Sequence, residues 1–168
     1  KGESVFRPGH GGDTSNCAIA AARQGASVGY VTAIGADQFG ESFLELWQSE
    51  GVDTSHVKRS GSAHTGLYFV THGPDGHVFS YMRAGSAASR MTPDDVPADA
   101  VKAARVVHAS GISQAISSSA ADAVFSAMRI ARSAGVLVSY DTNLRLRLWP
   151  LDRARAVIHA AAALADIL

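Results

Sequence analysis

The chain has 168 residues, with 15 Lys+Arg balanced by 15 Asp+Glu, so it offers no net basic surface for nucleic acid or an anionic membrane as its main partner. Hydrophobic residues at 46% and charged residues at 18% match a globular core and exclude wholesale disorder. The single cysteine, Cys17, excludes an intrachain disulfide scaffold and points to a reducing, cytoplasmic compartment.

The length fits one domain or part of a larger one. There is no initiator Met, no signal peptide and no membrane-spanning run. The Ala-rich end from Ala154 to Leu168 is broken by Arg155, His159 and Asp166. The chain begins abruptly at Lys1 and stops at Leu168 where a strand reads as just starting, so a piece of a longer protein is expected.

In chain order, a Gly-rich loop over Gly9–Gly12 leads into a helix over Ser15–Arg23, stopped by Gly25. Val28–Thr32 reads as a short strand. Asp37 is an N-cap for a helix through Glu50, with Phe39, Phe43, Leu44, Leu46 and Trp47 on one side. Two extended runs, Gly66–Val70 and His77–Arg83, flank Gly73-Pro74-Asp75-Gly76. There Pro pre-sets φ and Gly supplies positive φ, which predicts a β-hairpin acting as a lid or edge layer. Thr92-Pro93-Asp94-Asp95 reads as a helix start. Then come a strand over Val106–Ser110, a helix over Ser118–Ala134, a strand over Val136–Tyr140 and a helix over Leu151–Ala163. Strands separated by helices of this length imply right-handed crossovers and a parallel sheet covered on both faces. Ligands in such sheets bind beyond the carboxyl ends of the strands.

Three constellations carry chemistry. Gly11-Gly12-Asp13-Thr14-Ser15-Asn16 pairs close backbone approach with an amide that donates and accepts; its plain alternative is a tight turn with a polar helix start. Tyr81 and Arg83 alternate onto one strand face, which Tyr68 on the partner strand is expected to share. A guanidinium beside phenols suits a hydroxylated, anionic small molecule, whereas a solvated hairpin face is the plain alternative. Asp141-Thr142-Asn143-Leu144-Arg145, followed by Arg147 and Trp149-Pro150, concentrates polar groups at a strand's carboxyl end. Packing explains that poorly; its plain alternative is a helix-entry loop with surface arginines. A Walker phosphate loop, a dinucleotide fingerprint and metal-ligand spacing of the seven histidines are all absent from the sequence. Gly111-Ile112-Ser113-Gln114-Ala115 approaches a nucleophile elbow, with Asp141 and His159 following in hydrolase order, but His159 is expected inside a helix, where it would point away from Ser113.

Together these segments resemble the ribokinase-like (PfkB) family of carbohydrate kinases. Gly11-Gly12, Asn16, Ala18, Gly25 and Gly35 stand at the spacing of its N-terminal signature; Gly35-Ala36-Asp37-Gln38-Phe39-Gly40 and Gly51-Val52-Asp53-Thr54 also match. Within the family the nearest likeness is to kinases of 2-keto-3-deoxygluconate. It is carried by the Gly11–Asn16 segment, Thr65–Phe69, Tyr81-Met82-Arg83, Ser110–Ser113 and Asp141–Trp149, and it runs over essentially all 168 residues.

The resemblance implies an α/β three-layer sandwich with a mostly parallel central sheet, of which residues 1–168 form the N-terminal and middle part. A small β lid would comprise segments about 1–10 and 66–84, including Val5–Pro8. It implies transfer of the γ-phosphoryl of ATP to a sugar hydroxyl, with Mg²⁺. Gly11, Gly12 and Asn16 would contact sugar hydroxyls; Tyr68, Tyr81 and Arg83 would come from the lid; the backbone at Ile112 and the side chain of Arg145 would complete the pocket. Asn143 would lie toward the phosphate path. Two converging arginines fit a sugar acid better than a neutral sugar, although Arg145 serves the transferred phosphoryl equally well. Other sugar kinases of the family, ribokinase- or fructokinase-like, and a degenerate non-catalytic module remain alternatives.

Two departures stand out. The family's first strand, with an acidic residue that helps bind the sugar, would precede Lys1, and its Gly-Ala-Gly-Asp motif, whose Asp is the base, is not in this sequence. No catalytic base or metal ligand is therefore assigned within these residues, and the isolated chain is expected to be inactive. Lid strands that pair between subunits imply a homo-oligomer.

Overall fold

The computed structural model describes residues 5–74 and 76–168. Helix α1 (Asp13–Arg23) starts two residues before the expected Ser15, because Gly12 turns the chain at φ 129°, a conformation open to glycine. Asp13 in its first turn and Arg23 in its last complement the helix dipole. Helix α2 (Gln38–Ser49) is capped as expected, with Asp37 Oδ1 accepting from Gly40 N at 2.9 Å. The two helices meet through Trp47, whose indole N–H donates to Ser15 Oγ at 2.8 Å, and through a forked ion pair between Arg23 and Glu50. Ala18, Ile34, Trp47 and Val52 form the buried cluster beneath them, with Tyr30 and Phe43 packed on the Trp47 ring.

The strand expected over Val28–Thr32 lies farther on. Strand β1 is Thr32–Gly35, and it pairs in parallel with β2 (Val57–Ser60), Thr32 opposite Val57 and Gly35 opposite Ser60. Upstream, only a bridge between Gly29 and Asp53 continues the pairing, so the apolar run begins before its partner does. β2 was not anticipated because its two central residues are charged: Lys58 reaches Asp95 and Arg59 reaches Glu41. Such charges typify an edge strand and hide its pattern.

The hairpin is longer than expected. Strands β3 (Leu67–Gly73) and β4 (Gly76–Met82) are antiparallel from Leu67 opposite Met82 to Gly73 opposite Gly76, and Gly76 takes φ 108°. Residue 75 of the expected turn lies outside the described residues, as do 1–4 of the expected lid segment. Val5–Pro8 forms no strand; it touches the hairpin through Phe6, edge-on to Phe69 with ring centroids 5.1 Å apart.

The helix expected from Thr92 is a single 3₁₀ turn over Pro93–Asp95, and another such turn spans Ala88–Arg90. Thr92 N does bond Asp95 Oδ2 at 2.9 Å, but Pro97 follows directly and the α-helix proper, α3, covers only Ala98–Ala103. Strand β5 (Val106–Ser110) falls where expected. β6 (Leu137–Asp141) is shifted by one residue and pairs with it in parallel, Val106 opposite Leu137 and Ser110 opposite Asp141. Between them lie a short helix α4 (Gly111–Ala115), which is not among the elements expected from the sequence, and α5 (Ser118–Ser133), capped by Ser117. Helix α6 (Leu151–Ala162) follows, and Ile167 then bridges Ser139 as a further parallel pairing.

Met128, Ala131, Val138 and Ala161 are fully buried between α5, α6 and the sheet, the alanines letting helix and strand approach closely. Burying a side chain such as Met128 stabilises by about 1.5–3 kcal/mol. Among the described residues one face of the β5–β6 pair is more covered than the other. Val107, Ala109, Val138 and Tyr140 face helices, whereas Val106, His108 and Leu137 on the opposite face are exposed.

Candidate active site

The hairpin and the turn before α1 come together. Tyr68 and Tyr81 stand opposite one another in register, with ring centroids 6.1 Å apart. The Tyr68 hydroxyl lies against Gly11 so closely that a Cβ there would be 2.0 Å from it. Arg83, just past the end of β4, lays its guanidinium over the Tyr81 ring at 4.2 Å. The positive group lies against the ring's negative face, and among the described residues no salt bridge or hydrogen bond engages its N–H groups. Gly11, Tyr68, Tyr81 and Arg83 thus form one contiguous set.

A second set lies at the carboxyl ends of β5 and β6. Asn143 is the one described non-glycine residue with positive φ, at 34°. Its N–H donates to Asp141 Oδ1 at 3.0 Å, which closes a tight turn straight after the strand. Thr142 passes over the start of α4 at a distance only glycine permits: a Cβ on Gly111 would be 2.3 Å from the Thr142 carbonyl oxygen. The Ile112 N–H is engaged by Ser110 Oγ at 3.2 Å. Below them the Tyr140 hydroxyl donates to Gln114 Oε1 at 2.7 Å. Burial, helped by the Asp141 charge, pushes that phenol up to about 12, so it stays a donor.

Cys17 lies on α1 and is half-buried. Its thiol is pushed up first by burial, then by the negative charges of Asp141 and Asp13. Burial and nearby negative charge both favour the protonated thiol. Asp13 and Asp141 belong to sequence motifs that assign them no separate role. Their signal was position: one follows the Gly-Gly turn, the other ends a strand.

Two expected residues stand apart. Asn16 is exposed on α1 and, with His10, lines a groove between α1 and α2. Arg145 is exposed, its Nη1 donating to the Leu144 carbonyl at 3.0 Å, and no contact among the described residues joins it to Arg83. No group of three or more His, Cys, Asp or Glu side chains gathers at a metal-binding distance among the described residues.

The model of the pfkB family carbohydrate kinases matches residues 3–168. A 2-dehydro-3-deoxygluconokinase of Thermoproteus tenax is 40% identical over 151 residues, covering 88% of this chain and 45% of that protein. One of Bacillus subtilis (strain 168) is 38% identical over 167 residues, covering 97% and 51%. Fructokinase-1 of Zea mays is nearly as similar, 38% identical over 166 residues and covering 98% and 51%. Among solved structures, a PfkB protein from Polaromonas sp. JS666 superposes with a TM-score of 0.87 at 38% identity, covering 91% of this chain and 52% of that one. A fructokinase with bound ATP from Xylella fastidiosa gives 0.86 at 31% identity, covering 93% and 48%. The chain spans about half the length of the curated relatives it matches.

Proposed function

The chain belongs to the pfkB family of carbohydrate kinases, and we propose that the whole protein phosphorylates a sugar acid, 2-keto-3-deoxygluconate, to its 6-phosphate, these residues supplying the acceptor-binding half. The observation that carries this is Arg83 stacked on Tyr81, beside Tyr68 and the Gly11 turn. The stacked guanidinium presents its N–H edge to the sugar carboxylate, a charge-assisted contact contributing about 1.5–3 kcal/mol. Tyr68 and the Gly11-Gly12 backbone orient the hydroxyls. A neutral hexose leaves the guanidinium without its partner.

The terminal hydroxyl oxygen then bonds to the γ-phosphorus of ATP as the bond to the β-phosphate oxygen breaks and ADP leaves. The hydroxyl proton passes to a base outside these residues. Mg²⁺ would neutralise charge on the phosphates; among the described residues no carboxylate cluster gathers that would hold it. Asn143 and Arg145, at the end of β6, face the phosphate path, Arg145 as an exposed cation for the moving group or for the acceptor carboxylate. The hairpin is the lid. Its exposed Phe69, Val78 and Met82 support pairing with a second copy. A reducing cytoplasm, where ATP is plentiful, suits the free Cys17.

Fructokinases at similar identity favour a second reading, a neutral ketohexose acceptor. A panel on the full-length protein separates the two. Turnover of 2-keto-3-deoxygluconate with little turnover of fructose or ribose is expected; preference for fructose overturns the sugar-acid assignment.

A further inference from the structure

The root of the hairpin is tied to the body of the fold by one carboxylate. Asp37 caps α2, but it also accepts from Thr65 twice: Thr65 Oγ1 donates to Oδ1 at 2.8 Å and Thr65 N donates to Oδ2 at 2.8 Å. Thr65 Oγ1 in turn accepts from Gly35 N, the last residue of β1, at 2.9 Å. The junction is tight: a Cβ on Gly35 would be 2.3 Å from Asp37 Oδ2 and 2.7 Å from Thr65 N, and one on Gly40 would be 2.3 Å from the Gly35 carbonyl oxygen. Thr65 is buried.

The other arm of the hairpin joins the same junction. Ala87 N donates to the His64 carbonyl at 2.9 Å, Ser86 N donates to the Arg83 carbonyl at 3.0 Å, and Gly66 lies against the Arg83 stem, where a Cβ would be 3.8 Å from Arg83 Cβ. From Thr65 it is three residues to Tyr68, and across Gly66 it is one contact to Arg83.

We propose that Asp37, acting through Thr65, is a positioning residue for the acceptor: it fixes the hairpin's root so that Tyr68 and Arg83 stand over the Gly11 turn. The inference rests on the acceptor lying beneath the hairpin, as proposed above. A sugar contact misplaced by an ångström weakens the complex even where every contacting side chain is intact.

The test uses the full-length enzyme at a temperature well below its unfolding midpoint. Thr65→Val keeps shape and removes both hydroxyl bonds; Thr65→Ser keeps the hydroxyl; Asp37→Asn keeps one acceptor oxygen. Thr65→Val is expected to raise KM for the sugar acid about 10-fold and leave KM for ATP within about twofold, with Asp37→Asn following it and Thr65→Ser near wild type. Amide exchange in Tyr68–Val70 is expected to quicken while that in Val138–Tyr140 stays unchanged. A KM for ATP that rises alongside, exchange that quickens equally in both segments, or no change in either measurement overturns the proposal. If the wild-type enzyme turns over no sugar acid, the substrate assignment fails, and the exchange pattern alone decides the role of Asp37.

Discussion

Gly11 is without a side chain where Tyr68 needs the room. The clash that a Cβ would make is with the far end of a flexible side chain, so Gly11→Ala is expected to displace the phenol and spare the fold. In the full-length enzyme it should leave the thermal midpoint close to wild type and raise KM for the acceptor about 10-fold; an unchanged KM would remove Tyr68 from the site. The residues legible from sequence were those whose chemistry is set by local alternation. Tyr68, Tyr81 and Arg83 share a hairpin face, and the structure stacks the last two directly. Arg145 and Asn16 were less legible. A strand-end loop and a helix's first turns give no rule for where a long side chain or an amide ends up. The charge of Asp141, far along the chain, acts on the Cys17 thiol through the fold and has no local signal.

At the scale of elements, Asp37 joins a helix cap to a strand root. Burial pushes its carboxyl up, but hydrogen bonds from Thr65 and Gly40 outweigh that and hold it below the usual value of 3.8. A depressed native value means the ionised form stabilises the fold above about pH 4, and this contribution fades as pH falls through the lower native value. Asp37→Ala is therefore expected to cost about 1–3 kcal/mol near pH 7, from the lost cap and the orphaned Thr65 N–H. Denaturant midpoints for variant and wild type should converge as the solution is acidified below pH 4; a gap that persists unchanged into acid would show that charge on Asp37 plays no part. The hairpin, α2 and β5 were legible because turn chemistry, capping and a run of apolar residues mark them in a few residues. β2 was hidden by Lys58 and Arg59, and the Thr92 helix start failed because Pro97 follows its first turn so closely.

Taken as a whole, the molecule is two parallel strand pairs with their helices, plus a hairpin that reaches back to the turn before α1. The fold class was legible because alternating strand and helix leave few other arrangements. The exposure of Val106, His108 and Leu137 was not legible, since exposed strand residues here have the same composition as covered ones. The assignment of a sugar acid depends on one cation held on the hairpin. The most direct measurement is the steady-state kinetics of Arg83→Ala in the full-length enzyme, with 2-keto-3-deoxygluconate, fructose and ATP varied in turn. A rise in KM of about 10–100-fold for the sugar acid, with KM for ATP unchanged and no worsening for fructose, is the expected result. An equal rise for sugar acid and ATP, or a wild-type enzyme that already prefers fructose, would contradict it.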